Sequence, residues 1–230
     1  MTRLIRKKRG VSVVISTLLV LAITIVGAMS ISNLMGNSLL TTVNQVPKDI
    51  IMANSVLLVG YDTRDSEDLS DIGHLENKFD NMLCTVSCAG ASPTALPKAN
   101  PRGTEFIVLQ LWNKNAVDIP IRNIQVNGVI HTWDLQTRNQ LFDGKGSYPS
   151  YPAAGMFSII HHSNGGSPVQ FENQTMRGDQ EVRLVIKLSS LAKGDLVSED
   201  IGLGEPLQIL VKIGDIMNPA EFVILSGDTK

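Results

Sequence analysis

The chain has 230 residues, with 20 Lys and Arg against 22 Asp and Glu, so its formal charge is close to neutral at −2. Five of the basic residues fall in the first ten positions, leaving 15 basic against 22 acidic over the rest, an acidic balance that disfavours nucleic acid as a partner. After the apolar amino-terminal segment about 180 residues remain, enough for one well-packed domain and hardly enough for two, and there is no internal repeat or low-complexity tract.

The amino terminus opens with Arg3, Arg6, Lys7, Lys8 and Arg9, then Gly10, and from Val11 to Pro47 there is no Lys, Arg, Asp or Glu. The run Val11 to Val26 is apolar and long enough to enter a bilayer as a helix. As a continuous helix, Val11 to Val46 reaches roughly 54 Å at ~1.5 Å per residue, against a hydrocarbon core of ~30 Å. The second half changes character. Met29, Ile31, Leu34, Met35, Leu39, Leu40 and Val43 alternate with Ser, Asn, Thr and Gln, never with an ionised residue. Neutral polar groups suit a helix packed among helices, where a charge is costly to desolvate, and Gly27, Ala28, Ser30, Ser32 and Gly36 permit close approach.

Three readings of this segment are open. A secretory signal would end at Val26-Gly27-Ala28 and release a protein starting at Met29. An uncleaved anchor would place the bulk of the chain outside, because the basic leader stays cytoplasmic. The third reading rests on the junction Lys7-Lys8-Arg9-Gly10 followed by Val11-Ser12-Val13-Val14-Ile15, which resembles the leader junction of archaeal type IV pilins and archaellins. That resemblance covers roughly the first forty residues. Two differences stand beside it: many archaeal pilins have Pro where this chain has Val13, and bacterial pilins have Glu where it has Ile15. The resemblance implies cleavage after Gly10, so that the mature chain begins at Val11. It also implies a helix held first in the membrane and then packed with its neighbours as the core of a filament.

Beyond the helix, Pro47 predicts its end or a kink, since proline removes a backbone donor and biases the preceding residue away from helical angles. Strands are predicted at Ser55–Tyr61, Glu105–Trp112, Ile119–Val126, Val129–Trp133, Phe157–His161, Val182–Leu188, Leu207–Ile213 and Glu221–Leu225. The run Glu105–Trp112 is apolar on both faces and reads as a central, doubly covered strand. Val182, Leu184, Ile186 and Leu188 alternate with Glu181, Arg183, Val185 and Lys187, which reads as a strand with one buried face. Asn127-Gly128 joins two of these runs and favours a type I′ hairpin turn. Thr63 to Arg102 is the least regular stretch, and Gly144 to Pro152 a second loop-rich one.

Cys84 and Cys88 are the only cysteines. In an exported domain a Cys-Thr-Val-Ser-Cys pair reads as a disulfide pinning a small loop, because a zinc site needs two further ligands and only His74 is near in sequence. Asn173-Gln174-Thr175 is the one Asn-x-Ser/Thr sequon with a permitted middle residue, making Asn173 a candidate for N-glycosylation. Asp62, Asp65, Glu67, Asp68 and Asp71 lack the spacing of an EF-hand loop and read as a solvated loop. His161-His162 reads as a strand end entering a loop. The sequence has no Gly-x-Ser-x-Gly elbow, no His-Glu-x-x-His and no Walker loop, so no catalytic, cofactor or metal residue is assigned.

The expected organisation is a basic leader at 1–10, a hydrophobic helix at 11–46 and an extracellular domain at 48–230. The expected fold is mainly β with one long N-terminal helix, the domain being an immunoglobulin-like β-sandwich with a barrel as the alternative. The resemblance implies a homo-oligomeric helical filament on the cell surface, with a leader peptidase, an assembly ATPase and a membrane platform protein as partners and a membrane-inserted precursor. The rival from another class is a monomeric anchored or secreted surface domain that binds a ligand.

Overall fold

The computed structural model describes residues 15–22, 24, 55–77, 79–85, 104–162, 168–189, 200–214 and 219–230. The chain falls into two units, Met1–Lys48 and Asp49–Lys230. In the first, residues 15–22 are helical and all exposed, with Ile15, Leu18, Leu19, Val20 and Leu21 each 57–62% accessible. Among the described residues no helix is long and apolar enough to cross a membrane. The Gly10–Val11 junction, the rest of the expected 11–46 helix apart from Thr24, and Pro47 lie outside the described residues.

The second unit is built from β1 (Val56–Asp62), β2 (Met82–Leu83), β3 (Phe106–Asn113), β4 (Ile119–Val126), β5 (Val129–Trp133), β6 (Met156–His161), β7 (Thr175–Met176), β8 (Glu181–Lys187), β9 (Ile201–Gly202), β10 (Pro206–Ile213) and β11 (Ala220–Leu225). The main sheet runs β1-β3-β8-β6-β5-β4-β10-β11, with β7 on the start of β4 and a separate β2–β9 pair. Every pairing is antiparallel except β5 with β6, which meet in parallel at Thr132–Met156 and Trp133–Phe157. The β4–β5 hairpin turns at Asn127 (φ 47°) and Gly128 (φ 83°), the two positive angles of a type I′ turn.

The sheet folds over so that its two halves share one core. Ile107, Leu109, Leu111, Val182, Leu184, Ile186, Phe157 and Ile159 from one half pack with Ile121, Ile124, Val126, Ile209, Val211 and Ile224 from the other. Its ends nearly close. The Tyr61 and Lys230 backbones exchange hydrogen bonds of 3.2 and 2.9 Å, and the Thr63 N–H donates to the Asp228 carbonyl at 2.9 Å. Gly60 stands at this seam beside a β-bulge, where a Cβ would come within 2.6 Å of the Lys230 carbonyl oxygen. The result is a mainly β sandwich approaching a barrel.

A second core lies on the opposite face of β3, β8 and β6. Phe106, Val108, Val185 and Ile160 pack there against Leu69, Ile72 and Leu75 from one loop and Phe142 and Tyr151 from another. This confirms β3 as doubly covered and corrects the one-sided reading of β8. Arg183 is only 5% accessible and Lys187 2%, because the two loops cover the face that alternation alone assigns to water. The three two-residue strands were not expected; they are too short to carry a period.

Candidate functional site

A groove of about 370 Å³ opens beside the ends of β6 and β7, lined by Asp118, Asn139, His161, Val169, Gln170, Phe171, Glu172, Asn173, Thr175, Arg177 and Gln180. Part of its lining is aromatic. The His161 ring lies against Phe171 with centroids 4.5 Å apart and a 54° tilt, and Phe171 is partly buried against the main core. Apart from Val169, the rest of the lining is polar.

The backbone of the groove is held from several sides. The Phe171 N–H donates to the Ile159 carbonyl at 2.8 Å, and the Ile121 N–H donates to the Gln174 carbonyl at 2.8 Å. Between them the Asn173 Oδ1 accepts from the Thr175 N–H at 3.0 Å, an Asx turn that leads directly into β7. Asp118 Oδ1 accepts from the Gly178 N–H at 3.0 Å, and Gln180 Oε1 from the Arg177 N–H at 2.9 Å. The Gln180 Nε2 lies 3.4 Å from His161 Nδ1. Gln170 is 1% accessible and donates from Nε2 to the Ser150 carbonyl at 3.1 Å. These pins make a pre-formed site with one aromatic wall and several amide, carboxylate and guanidinium groups around it.

Asn173 is thus an exposed residue on the groove's rim. His161 ends β6 as expected and belongs to the groove, which the sequence reading missed. His162 instead turns to Glu181, Nδ1 to Oε1 3.4 Å. Cys84 is disulfide-bonded, and Cys88, the only other cysteine of the chain, lies outside the described residues. Asp80 and Glu105 bring carboxylate oxygens to Cys84 Sγ, all within 4.8 Å of one another. A bridged sulfur offers no thiolate, so this corner is poorly suited to a metal. His74 pairs with Asp143, Nδ1 to Oδ1 3.1 Å.

The acidic loop is only partly solvated, which corrects the expectation. Asp62 is fully buried, where Arg64 reaches it from Nε at 2.9 Å and Nη2 at 2.6 Å, and the Ser70 N–H donates to it at 2.6 Å. This carboxylate raises the Arg64 pKa above its ordinary value. Asp65 Oδ2 accepts from the Asp80 and Asn81 N–H groups at 2.8 Å each, while Glu67, Asp68 and Asp71 are exposed. Lys145 pairs with Glu76, which raises its pKa.

Two bases are buried without that kind of support. Burial lowers the His131 pKa to about 4, the carbonyls of Val129 and Ile124 offsetting it only in part. Burial likewise lowers Lys187 to about 8, its ammonium lying 4.3 Å from the Tyr151 ring centre and 5.1 Å from that of Phe106.

No family model, curated protein or solved structure matches this chain. The groove's capabilities are therefore those of its own groups: stacking on an aromatic face and hydrogen bonding to neutral and charged side chains.

Proposed function

We propose that this protein is a structural subunit of an extracellular filament of the archaeal type IV pilin or archaellin kind. The carrying observation is the charge-free stretch from Val11 to Pro47 placed directly after Lys7-Lys8-Arg9-Gly10. It is supported by the apolar run Val11 to Val26, which contains the helical residues 15–22 and favours lipid or other copies of the helix over water. In this reading a leader peptidase cuts after Gly10 and an assembly ATPase with a membrane platform protein extracts the helix. Many copies then bury their helices together, with the energy of assembly coming from that burial. The domain from residue 48 onward is an immunoglobulin-like sandwich displayed outward, and the subunit performs no chemistry.

Replacing Gly10 tests the proposal. In cells expressing Gly10→Val, the precursor is expected to keep its leader mass and filaments are expected to vanish from negatively stained preparations. Undiminished filaments built of unprocessed subunits would overturn it.

A further inference from the structure

The groove, the sequon and the aromatic pair occupy one place, and their order along the chain is informative. Phe171, Asn173 and Thr175 follow one another at every second residue and all line the same groove. An N-linked sugar is joined through Asn Nδ2, so it starts within reach of whatever lies beside that amide. Here the Asx turn commits Asn173 Oδ1 to the Thr175 N–H and leaves Nδ2 as the group available for the linkage. The nearest flat surface along the chain is Phe171, backed by His161. The axial C–H bonds on one face of a pyranose carry partial positive charge and match the negative face of an aromatic ring, while its equatorial hydroxyls need donors and acceptors at the edge. Asn139, Glu172, Arg177 and Gln180 supply both kinds. A cavity of about 370 Å³ admits one sugar ring with room for a substituent.

We infer that this groove is a saccharide seat, occupied by the first sugar of a glycan N-linked to Asn173 and stacked on Phe171. The glycan then acts as part of the fold, covering Phe171 and bracing the turn into β7. The inference rests on the exported location in the proposed function. It can nevertheless fail alone, because a mature chain starting at Val11 with bare Asn173 would keep the filament reading and remove this one.

The test has three arms, all on the full chain purified from its own cells. Peptide mass spectrometry is expected to find a saccharide on Asn173; an unmodified Asn173 overturns the inference. Thermal melts of the wild type, Phe171→Ala, Asn173→Gln and the double variant form a cycle. Phe171→Ala is expected to lower Tm by about 2–4 °C more in the glycosylated chain than in the Asn173→Gln background. Equal losses in both backgrounds overturn the stacking. Because Phe171 also packs on the core and its removal can prevent folding, cross-relaxation between the first sugar's ring protons and the Phe171 ring is measured in the wild type as well. Its absence contradicts the seat. Finally, the Asn173→Gln protein is titrated with free N-acetylglucosamine. No saturable shift of the His161 ring protons below millimolar concentration is expected, and saturation there together with a bare native Asn173 would assign the groove to a free saccharide instead of an attached one.

Discussion

Strands β3, β8 and β6 bury both faces, and the two faces are built on different principles. The inner one is aliphatic and meets other strands, with Ile107, Leu109, Leu184, Ile186 and Ile159 fully buried against Ile121, Ile124, Ile209 and Val211. The outer one meets two loops, and polar groups fasten it. Asn77 donates to the Arg64 and Phe106 carbonyls at 3.0 and 2.8 Å and accepts from the Phe106 N–H at 2.8 Å. A strand brings its own backbone partners to a core. A loop must be tied down by side chains, each of which adds the cost of burying a polar group. The outer face therefore depends on fewer and more specific bonds.

The largest separation of the two faces should come from cavities. Leu184→Ala empties the inner core and is expected to cost about 3–5 kcal/mol with the whole domain unfolding as one transition, measured by urea denaturation. If it instead loosened only the loops at 63–77 and 139–153, the single inner core described above would be wrong.

The pH arms come next, since each face hides a base whose folded pKa is depressed. His131 shares the inner register with Ile124, and its pKa falls from 6.5 to about 4. The unfolded chain binds more protons than the folded one between those values. The His131 contribution is therefore fully present above pH 6.5 and declines by about 3 kcal/mol as pH falls to 4. His131→Phe should remove that slope. Lys187, on the outer face, falls from 10.5 to about 8. The same reasoning makes stability rise by about 3 kcal/mol as pH climbs from 8 to 10.5. Lys187→Met should stabilise the protein by about 1–3 kcal/mol at pH 7, the lost contacts with Tyr151 and Phe106 offsetting part of the gain, and should leave stability above pH 10.5 nearly unchanged. A destabilised Lys187→Met at pH 7 would mean that the aromatic clamp outweighs desolvation.

Asn77→Ala should cost about 2–3 kcal/mol, because it strands the buried Phe106 N–H and carbonyl and the partly buried Arg64 carbonyl. Amide hydrogen exchange should show that loss concentrated in residues 64–77, and an equally strong effect on β10 would contradict the distinction between the faces. The smallest effect should come from reducing the Cys84 bridge. Closing a five-residue loop to Cys88 is worth ~2 kcal/mol, felt mainly around β2 and its partner β9.

The strands were readable wherever one face met a continuous core. Val129–Trp133 and Ile119–Val126 have the bounds that alternation and the Asn127-Gly128 turn imply. The outer face was not readable, because Arg183 and Lys187 in an alternating run look like a wetted side. What covers them is contributed by Leu69, Ile72, Leu75, Phe142 and Tyr151, scattered through segments with no period. Asp62 was hidden for a similar reason: its partner Arg64 stands two residues on, a spacing common in exposed loops. At the groove, Asn173 was visible as a sequon, while His161 and Gln180 reach it through the β6–β8 pairing. Phe171, two residues before Asn173, was the available sequence signal.

The filament assignment makes its most direct commitment at the amino terminus, so the deciding measurement is the intact mass and first residue of the mature protein from its own cells. A chain starting at Val11 is the expected result, the leader gone and the helix retained. A start at Met29, or an intact Met1 or Thr2, would contradict it and leave a secreted or anchored domain in its place.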